Sequence, residues 1–195
     1  MKTDLIIIAN NGNGMESALA QTEIAAEQLK LTGKEILHMR LLAEEMMNIM
    51  RSIQSQHVGQ FWIEGNDKEY TLHLKTITLL DSKQRALLLA ASTSGKNEAH
   101  RGIMGKIRAF FEPVPNEEVP VYLAETIVKS PNGDLTWSMD SYRERLIKDK
   151  DAEGAAHEEW DELEKSIVSQ LADNVKVSIR DKCDVELVIQ KKIKQ

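Results

Sequence analysis

The sequence predicts an α/β (α+β) fold, a two-layer sandwich in which a mixed β-sheet carries helices on one face. Three observations predict it. Residues 37–53, LHMRLLAEEMMNIMRSI, repeat apolar side chains at helical spacing. Residues 175–179, Val-Lys-Val-Ser-Ile, alternate at the period of a half-buried strand, and residues 185–193 return to complete a hairpin. Residues 61–64 and 69–78 supply two further strands around a Gly65-Asn66-Asp67 turn. Helices and strands that each have one apolar face bury those faces most economically as two layers.

Composition narrows the setting. At 195 residues the chain can form one large domain with its own core. A single cysteine, Cys183, excludes an intramolecular disulfide and fits a reduced, cytoplasmic setting. Acidic residues exceed basic ones by 31 to 25, and the net charge of −6 argues against general nucleic-acid binding. The apolar run at residues 5–9 is too short for a signal-peptide core or a membrane span, and no other run approaches membrane length, so no membrane association is expected.

In chain order, residues 5–9 form a short apolar strand and residues 10–14 a glycine and asparagine turn. Residues 15–30 form a helix whose apolar face carries Leu19, Ala26 and Leu29, broadened by Ile24 and Ala25. Gly12-Asn13-Gly14 between a strand and a helix suggests a dinucleotide loop. Ser17 stands where its third glycine belongs, and a second helix follows where a second strand is needed. Thr32-Gly33-Lys34-Glu35 has the capping-box pattern and starts the central helix, which runs to about Ser55.

Beyond the strand pair, Asp81 can cap a short helix over residues 82–91, followed by a small, polar loop at residues 92–97. Its Gly95-Lys96 pair fails as a P-loop, because Ala90 and Asn97 replace the first glycine and the Ser/Thr. Residues 98–111 form a helix that contains Gly102 and Gly105. Pro113, Pro115 and Pro120 then break the helical pattern. Residues 121–128 fit a strand or a short helix equally. A turn at 130–133, a short strand at 134–137, a short helix at 141–148 and a charged link at 148–153 follow. Residues 113–156 are therefore expected at the periphery, less ordered than the rest. Residues 158–171 form a helix with Leu163, Ile167, Val168 and Leu171 on its buried side. His157-Glu158 begins like a zinc-protease HExxH, but Asp161 replaces the second histidine.

The central helix holds the candidate chemistry. Leu37, Leu41, Glu44 and Asn48 fall on one helical stripe, so a carboxylate and a carboxamide lie one turn apart. A glutamate on a half-buried stripe needs a partner, and a divalent cation with its water, held by Asn48, would be one.

The order of elements resembles the histidine-kinase-like (GHKL) ATPases, and is most similar to the anti-sigma-factor serine kinases. LTGKEILHMRLLAEEMMNIMRSI resembles their N-box helix, and His100-Arg101-Gly102-Ile103-Met104-Gly105 resembles a degenerate second glycine box. Residues 185–192, Val-Glu-Leu-Val-Ile-Gln-Lys-Lys, resemble the last strand of that fold. The resemblance implies a Bergerat-like fold in a single domain, 1–195, with residues 113–171 as an insertion. It implies ATP and magnesium as cofactors, Glu44 as the general base or water-positioning carboxylate, and Asn48 as the magnesium ligand. Gly102 and Gly105 would cover the phosphates, and residues 92–97 would lie in the ATP lid with Lys96 as a phosphate cation. Arg51, one turn after Asn48, lies within reach of a phosphate by the helix period. The family's D-x-G-x-G box, whose Asp recognises adenine, is absent near residues 76–80, and Asp81 is the nearest acid. The expected function is an ATP-binding regulator, such as a protein serine kinase acting on a regulatory protein partner. The alternative is a nucleotide-free pseudo-ATPase that serves as an interaction module. A homodimer is compatible with either.

Overall fold

The computed structural model describes residues 1–52, 57–77, 107–108, 110–111, 126–131, 134–148, 160–161, 163–180 and 184–193. Its strands are β1 (Ile6–Ala9), β2 (Val58–Gly65), β3 (Glu69–Ile77), β4 (Ile127–Lys129), β5 (Leu135–Ser138), β6 (Asn174–Arg180) and β7 (Asp184–Lys192). Its helices are α1 (Met15–Gln28), α2 (Gly33–Ser52), α3 (Met139–Lys148) and α4 (Ile167–Leu171).

The strands form one seven-stranded sheet in the order β1-β2-β3-β7-β6-β5-β4. Every pairing in it is antiparallel. The expected mixed sheet is thereby corrected. The hairpins β2–β3 and β6–β7 each bring an antiparallel pair, and β3 joins β7 antiparallel as well, so no parallel crossover is needed. The C-terminal hairpin lies within this sheet, as its alternation predicts.

Register explains the layers. Phe61, Leu74, Leu187, Val177, Trp137 and Ile127 are successive cross-strand partners, forming one row on one face. The first five are fully buried or nearly so. The opposite face is half-exposed and polar. There Trp62 stacks on His73 at 4.6 Å, and His73 Nδ1 lies 3.1 Å from Glu186 Oε1. Among the described residues, helices cover the apolar face: the Met50 methyl sits against Gly59, Leu29 against Gly65, and Tyr142 of α3 meets Trp137 with ring centroids 6.1 Å apart.

Local chemistry sets the helix ends. Gly14 starts α1 at φ 77°, and a Cβ there would lie 2.0 Å from the Ile7 carbonyl oxygen. The glycine of this loop thus permits close packing of the chain on β1. The end of α1 is a Schellman turn: Lys30 N–H donates to Glu27 O and Leu31 N–H to Ala26 O, with Lys30 at φ 56° and Leu31 buried. Glu35 Oε2 accepts from both the N–H and the hydroxyl of Thr32, at 2.8 Å each, which realises the Glu arm of the capping box. On α1 the buried positions are Met15, Ala18, Thr22, Ala25 and Ala26, whereas Ile24 is 56% exposed. Small residues on that face let the helix approach the sheet, and Ile24 falls outside its arc.

The expected peripheral position of residues 113–156 is corrected where they are described. Leu135, Trp137, Met139, Tyr142 and Leu146 are all buried. Alternation in β5 and the helical period of α3 place these side chains on one side, and Phe110 completes their cluster 6.2 Å from Trp137. The expected helix over 158–171 is interrupted at Ser166, whose backbone is extended at φ −73°, ψ 126° and whose hydroxyl accepts from Ser169 N–H. A serine can cap a new helix more favourably than continue an old one. Leu163 and Val168 are buried as expected, while Ile167 is 44% exposed.

Candidate functional site

Helix α2 buries Met39, Leu42, Ala43, Met46, Met47, Ile49 and Met50. Glu44 and Asn48 are each roughly 200° around the helix from Met46, so they fall on the side away from the core. Leu37, on the same stripe, is 53% exposed, and Asn48 and Arg51 are exposed. The stripe is half-buried at Leu41 and Glu44, as expected, and exposed at Leu37 and Asn48, on a helix whose opposite side is buried.

Glu44 has a partner, and it is a guanidinium. Arg40 Nε donates to Glu44 Oε1 at 2.9 Å, and Arg40 Nη1 donates to Glu23 Oε1 on α1. The sequence offers a divalent cation as one partner for Glu44; the guanidinium is a partner that it does not anticipate. Among the described residues no side-chain hydrogen bond engages Asn48. Nor does any group of three or more His, Cys, Asp or Glu side chains there suit a metal.

Glu45 is a feature the sequence reading passed over. Burial, and then the neighbouring Glu44 carboxylate, push its carboxyl above the ordinary glutamate range. The available signal was its position next to the apolar face, one turn before Ile49. Asp81, Lys96, Gly102 and Gly105 lie outside the described residues, as does the proposed lid at 92–97.

The N-terminal end of α2 borders a cavity of about 370 Å³, lined by residues of α2, β3, α4 and β7, including Lys34, Tyr70 and Lys191. Glu44, Asn48 and Arg51 do not line it.

No protein-family model, curated protein or solved structure matches the chain. Among the described residues, no helix is long and apolar enough to cross a membrane.

Proposed function

We propose that this chain is an ATP-binding regulatory protein of the histidine-kinase-like ATPase type, closest in layout to the anti-sigma-factor serine kinases. The observation that carries this reading is the accessible edge of α2, where Glu44 and Asn48 present a carboxylate and a carboxamide one turn apart on a rigid, core-packed helix. Asn48 would give one oxygen to magnesium, which supplies charge neutralisation on phosphate oxygens when bound. Arg40 holds Oε1 of Glu44, and the carboxylate would serve as the base for a bound hydroxyl or water. Arg51 extends the edge by one turn with a cation.

The second reading, a nucleotide-free interaction module, is favoured by the same Arg40. Its bonds to Glu44 and Glu23 make Glu44 part of the tie between α1 and α2. Calorimetric titration of the full chain with Mg-ATP separates the two. Saturable heat that vanishes with EDTA supports the ATP reading. No heat at millimolar nucleotide removes it and leaves the interaction module.

A further inference from the structure

Val185, Leu187 and Ile189 of β7 point toward the helices, and the next residue in that phase is Lys191. A lysine therefore stands on the covered face of the sheet, its side chain only 17% exposed. Directly across the ladder is Tyr70 of β3, which is 2% exposed. Its side chain lines the cavity at the start of α2, and a buried tyrosine hydroxyl ordinarily takes a hydrogen-bond partner.

Lysines outnumber carboxylates in the lining around this pair. Lys34 and Lys192 also line the cavity. The first turn of α2 adds helix N-terminal amides that lack intrahelical acceptors and carry the positive end of the helix dipole. Two carboxylates stand here, Glu35 in the cavity lining and Asp173 beside Lys191. Glu35 Oε2 accepts both bonds from Thr32 at 2.8 Å. Asp173 Oδ2 accepts from Lys192 N–H at 2.6 Å and lies 3.5 Å from Lys191 Nζ. Leu171, Ile193 and the Tyr70 ring contribute apolar wall.

We infer that this cavity is a binding site for a small organic anion, with Lys191 and the Tyr70 hydroxyl meeting a phosphate or carboxylate head and the apolar wall taking its body. The volume of about 370 Å³ falls at the small end of ligand pockets. Burial, followed by the Glu35 and Asp173 carboxylates, pushes the phenol of Tyr70 upward, so it stays protonated and can donate. The site is distinct from the Glu44–Asn48 edge. Asn48 lies about 20 Å further along α2 than Glu35, at roughly 1.5 Å per residue.

The test is titration of the isotopically labelled full chain with phenyl phosphate and, separately, with benzoate, followed by NMR shifts and by calorimetry. Saturable binding of either probe, with shifts at Gly33, Lys34, Tyr70 and Lys191, is the expected result, and the tighter probe identifies the head group. Lys191→Met should weaken that probe by about tenfold or more, and Tyr70→Phe by roughly threefold to tenfold, the loss of one charged and one neutral-donor contact. Tyr70→Phe removes only an oxygen, so it reports on binding even where a lysine substitution perturbs the fold. Asn48→Ala should leave the affinity unchanged. Failure of both probes to saturate by about 10 mM, a weak-binding limit, overturns the site. So does unaltered affinity in both cavity variants, or a loss in Asn48→Ala.

Discussion

Arg40 and Glu44 are bonded Nε to Oε1 at 2.9 Å along one side of α2, and the same guanidinium reaches Glu23 of α1. One cation thus ties two helices and orients the carboxylate proposed to act at the site. The side chains of Arg40, Glu44 and Glu23 are 42%, 38% and 46% exposed, so water screens both pairs. An Arg that precedes its Glu by four residues also has the less favourable orientation along a helix. Arg40→Ala is expected to lower stability by only about 0.5–1.5 kcal/mol in urea denaturation, with the loss shrinking in high salt. A loss above about 3 kcal/mol would place the arginine among buried-network residues instead.

Asn48 is exposed, so Asn48→Ala should change stability by less than about 0.5 kcal/mol. Under the ATP reading it should remove Mg-dependent nucleotide heat. Glu44→Gln should retain binding and abolish turnover, because it keeps size and hydrogen bonding but loses the base. Calorimetry paired with a phosphate-release assay checks both. Unchanged nucleotide binding in Asn48→Ala would sink the assignment of the magnesium ligand.

Glu45 carries a pH signature. Its carboxyl is pushed up by burial and then by Glu44, so the folded chain binds that proton more tightly than the unfolded chain does. An acid whose folded value is raised weakens the fold once pH rises above the unfolded value, and the penalty is fully present above the folded value. Below the ordinary glutamate range the penalty is absent. Glu45→Gln should accordingly stabilise the chain at pH 7 and make no difference near pH 3, well below the ordinary glutamate value. Denaturation midpoints of both proteins across this window give the sign. Greater benefit at the acid end would contradict it.

Gly12 and Gly14 have φ of 98° and 77°, but only Gly14 is crowded. A Cβ at Gly14 meets Ile7 O at 2.0 Å, whereas one at Gly12 meets nothing within 4 Å. Gly12→Ala should cost about 1–2 kcal/mol from the left-handed backbone alone. Gly14→Ala should cost at least about 1 kcal/mol more, since β1 or α1 must shift. Equal losses by thermal or urea unfolding would show that β1 yields freely.

Trp137 is fully buried between Phe110 and Tyr142, yet its Nε1–H has no acceptor among the described residues. Trp137→Ala should cost about 3–5 kcal/mol as a large-to-small core change. Trp137→Phe should cost much less, about 1–2 kcal/mol, because relief of the unpaired donor offsets part of the lost volume. Urea midpoints rank the two. A Phe variant as damaged as the Ala variant would mean that the indole N–H is satisfied after all.

Periodicity made much of the fold legible. The strand pair, the C-terminal alternation and the long central helix all appear at or near their expected places, because local spacing of apolar residues determines which faces must be buried. The capping pattern at Thr32 also marked the start of α2, which begins at Gly33. Strand direction was legible only within the two hairpins. Apolar alternation is the same in parallel and antiparallel strands, and the pairings β1–β2, β3–β7, β5–β6 and β4–β5 make the rest of the sheet antiparallel.

By itself, the sequence determined that Glu44 and Asn48 share one helical stripe, since that follows from a period of roughly 3.6 residues per turn. Only the tertiary structure decided that the stripe is exposed at Asn48 and that Arg40 of α2 and Glu23 of α1 close a network around Glu44. The same division holds at the other end of α2. Alternation places Lys191 in phase with Ile189, but its meeting with Tyr70, far away along the chain, depends on β3 and β7 pairing. Periodicity is a property of neighbours along the chain, whereas burial and partnership belong to groups that long-range packing alone brings together.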